Sequence, residues 1–369
     1  MTDQRIKVTD ARHSVVVYDP AKWCAVPANN GGNSPTWQWG DELLVGFTMG
    51  EFGLPGTLHQ TLTEGPFTSW LARSLDGGAT WSTCRPSPYA GQGAAVTPLP
   101  APLNFAVPGF VLRVEAYGYH GNAGAQWYAS LDRGAAWQGP YRFGDLLDQS
   151  DLVGCHLTAR TGYLLAGPDE LLVFLSVRPA FAGEKTTVLL TDKPIVVRMR
   201  DGGRRFEFVS WVVDPDDPCR AVMPAPVRLL EDVIVVALRR KSDLHNWVDV
   251  YGSEDNGRSW HFRSRVGETE TGNTWNGNPP AMVRMEDGRL CCVYGNRSRR
   301  QIIARVSADG GTVWGPEYVV RDDYCSVNGL PDLGYPRLFC RPDGKLVTVY
   351  FWATAERPQT HIAATAFSV

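Results

Sequence analysis

SLDGGATW at Ser74–Trp81, SLDRGAAW at Ser130–Trp137, SEDNGRSW at Ser253–Trp260 and SADGGTVW at Ser307–Trp314 are near-copies of one eight-residue pattern. A degenerate fifth copy, MRDGGRRF at Met199–Phe206, fills the wide gap between the second and third, so the unit recurs every roughly 55 to 70 residues. The pattern has a mechanical reading: the Asp carboxylate accepts backbone N–H bonds across a tight turn, Gly supplies a positive φ, and Trp covers the turn. Each clear copy follows a strand-like segment (TSWLARS, QWYAS, WVDVYGS, QIIARVS) and precedes another, which sets it on a hairpin as a structural element.

Around each hairpin the same order recurs: strand, short turn, apolar strand, loop, third strand, Asp turn, fourth strand. That is a four-stranded propeller blade. The second strands read ELLVGFTMG, FVLRVEAYGY, ELLVFLSVR, VIVVALRRK, RLCCVYGNR and KLVTVYFWAT, rich in the β-branched residues that suit a sheet buried on both faces. Six such strands give an all-β, six-bladed β-propeller over residues 1–369 as a single domain. The last blade ends at HIAATAFSV with no Asp turn and no fourth strand, whereas the N-terminal HSVVVY has no blade of its own. The N-terminal strand is therefore expected to close blade six.

Lys and Arg total 36 against 39 Asp and Glu, a net charge of -3, which gives no chain-wide basic field for nucleic acid. The polar start MTDQRIKVTD lacks the apolar stretch of a secretory signal and no window is apolar enough to span a bilayer, so a soluble, cytoplasmic chain without a membrane partner is expected. Eight cysteines carry no C-x-x-C pair and are read as buried reduced thiols. No H-x-H or H-E-x-x-H spacing supports a metal site, and no cofactor is expected.

The Asp turn joins strands three and four, so the opposite face gathers the start of strand one, the end of strand two and the start of strand three. Blade one delivers Asn29, Asn30, Trp37, Glu51 and His59 there; blade two delivers Glu115, Tyr117, Tyr119 and His120; blade three delivers His156, Arg160 and Arg178. Blade four adds Met223, Arg239, Arg240 and Lys241, blade five Asn278, Asn296, Arg297, Arg299 and Arg300, and blade six Tyr335, Arg337 and Trp352. This mouth is cationic and aromatic in a mildly acidic protein. A guanidinium grips a carboxylate with two parallel bonds, so convergence of Arg160, Arg240, Arg297 and Arg337 implies an acidic ligand. Aromatic faces and Asn suit a sugar, with His156 and Tyr119 as further binding residues. His59 and His120 are the candidate proton-handling groups, and the scarcity of acidic pairs argues against an ordinary two-carboxylate glycosidase.

The Asp turns and the strand series resemble the sialidase (neuraminidase) superfamily over essentially the whole chain. The segment LGYPRLFCRPDGKLVTVY at Leu333–Tyr350 is similar to the one that carries the nucleophilic tyrosine of sialidases, which places Tyr335 in that role. By the same resemblance, Arg240 in ALRRK and Arg297 in VYGNR lie near arginines of the sialidase carboxylate-binding triad. The R-I-P motif of the first triad arginine is absent from KWCAVPANNGG, and in MPAPVRLL Ala225 stands where sialidases have the Glu that activates the tyrosine. GNPPAMVRMEDGRLCCVYGNR followed by DLGYPR resembles a divergent branch of sialidase-like propellers, some of which act on uronate glycans, including lyases that release rhamnose from glucuronate. The resemblance thus implies a glycosidase cleaving a terminal acidic sugar. A polysaccharide lyase working by Tyr/His proton transfer and a non-catalytic glycan-binding propeller are the alternatives.

Overall fold

A computed structural model describes residues 5–25, 37–62, 67–86, 95–116, 125–179 and 192–369. Its strands form six sheets, each a blade. Blades three and four show the full pattern among the described residues. Blade three runs Cys155–Leu165, Leu171–Pro179, Lys193–Arg200 and Arg205–Trp211; blade four runs Arg220–Arg228, Ile234–Lys241, Asn246–Ser253 and His261–Glu270. In blade one, Lys22–Ala25 and Trp37–Trp39 both pair with the long strand Glu42–Glu51, each covering one half of it. Blade two has three described strands, and residues 98–108 before them carry Pro98, Pro100, Pro102 and Pro108, which cannot donate to a ladder.

The N-terminal strand Arg12–Val17 lies antiparallel to His361–Phe367 as the outer strand of blade six, as the strand count requires. A second N-terminal strand, Arg5–Lys7, adds to the edge of blade five, parallel to Glu317–Arg321. The sequence does not foretell it: three exposed residues with no apolar alternation leave no pattern to read.

Apolar packing closes the ring. Six clusters of buried side chains fall one between each pair of neighbouring blades: Trp37, Leu44 and Leu71 meet Val111 and Tyr128 between blades one and two, and Phe47 and Val45 meet Phe351 and Val349 between blades six and one. A sheet buried on both faces explains why the second strands carry no polar alternation.

The Ser-x-Asp-x-Gly-x-x-Trp turns stitch these interfaces. In Ser253–Trp260, Ser253 Oγ accepts Gly257 N–H at 2.8 Å, and Asp255 Oδ1 accepts the amides of Arg258 and Ser259 at 2.9 Å. Trp260 Nε1 donates to Ser210 Oγ of blade three at 3.1 Å, and Ser210 in turn donates to the Gly257 carbonyl at 2.5 Å. Ser264 of blade four makes the same pair of contacts with Gly311 and Trp314 of blade five. The degenerate copy differs: the Asp201 carboxylate faces Arg205 at 3.6 Å. Of the eight thiols, Cys24, Cys291 and Cys292 are buried, but Cys84 and Cys325 are exposed, so the uniform buried reading does not hold.

Burial raises the Asp255 carboxyl, but the Ser259 hydroxyl and the turn amides outweigh it and hold it at about 2, against an ordinary 3.8. A carboxyl depressed by folding stabilises the native state above its unfolded value and loses that contribution as pH falls through the folded one. Asp255→Asn is expected to lower Tm at neutral pH, with the gap to the parent closing between pH 3.8 and about 2. A gap of constant size across that range would show that the carboxylate charge is not what holds the turn.

Candidate active site

Tyr335 opens the strand Gly334–Cys340 with a φ of 51°, a left-handed value that costs a non-glycine residue about 1–3 kcal/mol. Asn278 holds it there: its Oδ1 accepts Tyr335 N–H at 2.9 Å and its Nδ2 donates to the Leu333 carbonyl at 3.2 Å. Gly334, between them, has φ 109°, and a Cβ there would stand 2.0 Å from Asn278 Oδ1. Only glycine fits. The phenol so placed accepts a hydrogen bond from Arg239 Nη1 at 3.3 Å. Met223, also left-handed at φ 61°, sets its sulfur 3.7 Å from the same nitrogen.

Arg297 lies over the Tyr335 ring, guanidinium carbon to ring centroid 6.0 Å. It is 2 % exposed. Its Nη1 donates to the Trp275 carbonyl, whereas Nε and Nη2 have no hydrogen-bond partner among the described residues. Each buried donor left unmet costs about 1–3 kcal/mol, so the arrangement is poised for an acceptor from outside the chain.

His59 completes the group. Its Nδ1 lies 2.8 Å from Asp332 Oδ1, and Asp332, fully buried, is fixed on its other oxygen by Trp23 Nε1 at 2.9 Å and Thr360 Oγ1 at 3.0 Å. The imidazole edge remains 45 % exposed. Burial disfavours the imidazolium, but the Asp332 carboxylate outweighs it and raises His59 above its ordinary value; Arg297 opposes the rise and Tyr335 reinforces it. Asp332 moves the other way: burial raises it, and His59, Trp23 and Arg297 hold it below the usual carboxylate range.

The remaining sequence candidates divide. Arg240 does not join Arg297: its Nη2 donates to Asp217 at 2.7 Å, its Nε lies 3.6 Å from Asp249, and it stacks near Trp247 and Tyr251. The reason is strand parity. Val235 and Ala237 pack toward blade five, and Arg239 shares their face; Val236 and Leu238 pack toward blade three, and Arg240 shares theirs. Arg337 is buried at 6 % exposure and donates to the Pro336 carbonyl at 3.1 Å, with burial lowering it to about 10. His156 pairs with Arg178 in the register of blade three and is half-buried. Tyr119 and His120 lie outside the described residues, as do Asn29, Asn30, Tyr117 and the Arg160 side chain. Arg299 is paired to Glu317 at 2.6 Å and Glu115 to Arg113 at 3.3 Å, so both serve the blades. Asp332 is the member that the sequence reading missed.

A cavity of about 540 Å³ lined by Gln38, Leu164, Met282, Glu286 and Cys340, among others, opens at the far ends of the inner strands. Cys340 ends the strand that Tyr335 begins, so this cavity and the Tyr335 group occupy opposite faces.

The fold and the mouth define a six-bladed propeller of sialidase-like architecture. A family profile described as "BNR repeat-like domain" matches residues 110–348, and the chain belongs to that family. Among solved structures it is similar to an α-L-arabinanase of Penicillium chrysogenum complexed with arabinobiose, at 14 % identity and TM-score 0.55, covering 96 % of this chain and 97 % of that one. It is also similar to the Hadza microbial sialidase Hz136, at 12 % identity and TM-score 0.57, covering 94 % and 66 % of the two chains. The Trypanosoma rangeli sialidase in complex with sialic acid matches at 12 % identity and TM-score 0.55, covering 97 % and 59 %. No curated protein matches. These likenesses speak for the fold.

A histidine raised by its partner stabilises the native state below its unfolded value and loses that contribution as pH rises through the folded one. The His59 ring signals, followed by NMR, are expected to titrate with a midpoint above 6.5, and Asp332→Asn is expected to bring that midpoint down. Coincident midpoints in the two proteins would mean that the carboxylate does not govern His59.

Proposed function

We propose that the protein is a carbohydrate-active enzyme that cleaves the glycosidic bond of a terminal acidic sugar, a glycosidase of the sialidase-like kind. The observation that carries this reading is Arg297: a buried guanidinium with two unmet donors over the ring of the tyrosine that heads the last inner strand. A sugar carboxylate satisfies those donors in the planar geometry that a guanidinium selects. Arg239, donating to the Tyr335 oxygen, stabilises negative charge developing there; sialidases activate the tyrosine with a Glu base instead, and this chain has Ala225 at that place. Tyr335 is then the nucleophile: its proton passes to bulk water, its oxygen bonds the anomeric carbon as the bond to the leaving oxygen breaks, His59 in its imidazolium form protonates that oxygen, and water later displaces the tyrosine.

The His59–Asp332 pair also favours a second reading, elimination from a uronate. There Arg297 neutralises the carboxylate and acidifies the adjacent C–H, Tyr335 as the phenolate beside Arg239 takes that proton and becomes the phenol, and the His59 imidazolium gives its proton to the leaving oxygen. Neither scheme needs a carboxylate pair.

The test is turnover of sialosides and uronate oligosaccharides, with products read by mass and by the absorbance of an unsaturated uronate. Hydrolysis adds water; elimination adds none and leaves a chromophore. Tyr335→Phe is expected to lower turnover by roughly 10²–10⁴-fold. Arg297→Ala is expected to weaken acidic-sugar binding by about 1.5–3 kcal/mol. Arg240→Ala should instead lower Tm and leave affinity unchanged. An acidic sugar bound by the parent protein but never cleaved would support the binding-module alternative.

A further inference from the structure

Beside the Tyr335 group, blade four carries a second concentration of positive charge. Arg220 and Lys241 are direct cross-strand partners at the mouth end of their strand pair. Like charges in that relation repel, and a blade gains nothing from them unless something else stands between. Arg220 is half neutralised: its Nε donates to Asp192 Oδ2 at 2.8 Å, but that carboxylate is shared with Arg178, whose Nε donates to Asp192 Oδ1 at 2.6 Å. Among the described residues no carboxylate pairs with Lys241. Its Nζ donates to a neutral amide oxygen, that of Asn276, which stands at φ 64°. Glu270, a buried acid that acts on Lys241, is engaged by the amides of Trp275 and Gly277 at 2.6 and 2.7 Å, and with Asp243 it does not offset the repulsion. Burial, then Arg239 and Arg220, push Lys241 below the ordinary lysine value.

Lys241 and Arg239 lie two residues apart on one face of the strand, a separation of about 7 Å. Arg239, which donates to Tyr335, thus has Lys241 beside it on the same strand face, Lys241 has Arg220 across the ladder, and Arg220 shares Asp192 with Arg178. A single acidic sugar held at Arg297 has no use for this extension.

We propose that Lys241 is the centre of a second anion subsite, with the Arg220 charge beside it, which binds a carboxylate or sulfate on the sugar next to the one held at Tyr335. The inference rests on the proposed acidic-sugar site and narrows it: the substrate is a polyanionic glycan with acid groups on consecutive residues, rather than an acidic sugar capping a neutral chain. Lys241, as a compact ammonium with three donors, accommodates either anion, while the forks of Arg220 and Arg178 stay on Asp192.

The experiment is isothermal titration calorimetry with two matched pairs of probes. Disialic acid is compared with sialyllactose, and glucuronyl-N-acetylgalactosamine sulfated on the amino sugar with its unsulfated form. The parent protein is expected to bind the doubly charged member of at least one pair tighter by roughly tenfold, the scale of one charge-assisted contact partly screened by solvent. Which pair shows the gain distinguishes carboxylate from sulfate. Lys241→Gln should erase the gain and leave the singly charged probe unaffected, and Lys241→Arg, which keeps charge and fold, should retain it. Equal affinity within both pairs in the parent protein overturns the second subsite while leaving the acidic-sugar site standing. So does a Lys241→Gln variant that weakens both members alike. Failure of the parent protein to bind any of the four probes overturns both.

Discussion

The mouth of this propeller depends on one buried amide. Asn278, at the entry to blade five, bonds the chain on both sides of Gly334 in blade six and so fixes a tyrosine in a backbone conformation that it would not adopt alone. The cost of that conformation is met by ring closure: blades five and six share a continuous core of Ala281, Val293, Leu333 and Tyr350, which fixes Asn278 against its partner. Strained residues persist only where surrounding structure over-determines them. Here two of them, Tyr335 and Met223, meet at the same guanidinium.

Electrostatics then divides the arginines by what they face. Arg240, Arg178, Arg220 and Arg299 have carboxylates and hold blades together. Arg297 has a carbonyl and an aromatic face, and its remaining donors meet no acceptor among the described residues. Arg297 makes no ion pair among the described residues and feels only the Asp332 carboxylate that His59 already engages, so pairing recovers little of its desolvation. Its presence is understandable if the missing charge arrives with a ligand. The same logic separates His59, raised by a buried carboxylate, from His361, which burial lowers to about 4 and which bonds only a local carbonyl.

The blade count and the closure of blade six were legible because their signals are local or additive: an eight-residue turn, an apolar strand, and one strand too few at the end. Choosing Arg239 over Arg240 was not, since both faces of a blade strand are buried and alternation alone does not say which face turns to the site. His59 and Asp332 lie 273 positions apart and meet only when the ring closes. Asp332 precedes the Leu-Gly-Tyr run that drew the eye to Tyr335, and nothing in the sequence marked its carboxylate as the partner of a distant imidazole. The proline-rich entry to blade two and the parallel strand Arg5–Lys7 escaped for the opposite reason: neither has a periodic pattern.

The central claim is that Arg297 awaits a carboxylate. A crystal structure of the Tyr335→Phe protein with a bound acidic sugar tests it directly. The sugar carboxylate should lie about 3 Å from Arg297 Nε and Nη2, in plane with the guanidinium. An acidic sugar seated elsewhere, or an Arg297 whose two donors are taken up by the chain itself while the sugar is bound, would contradict the account.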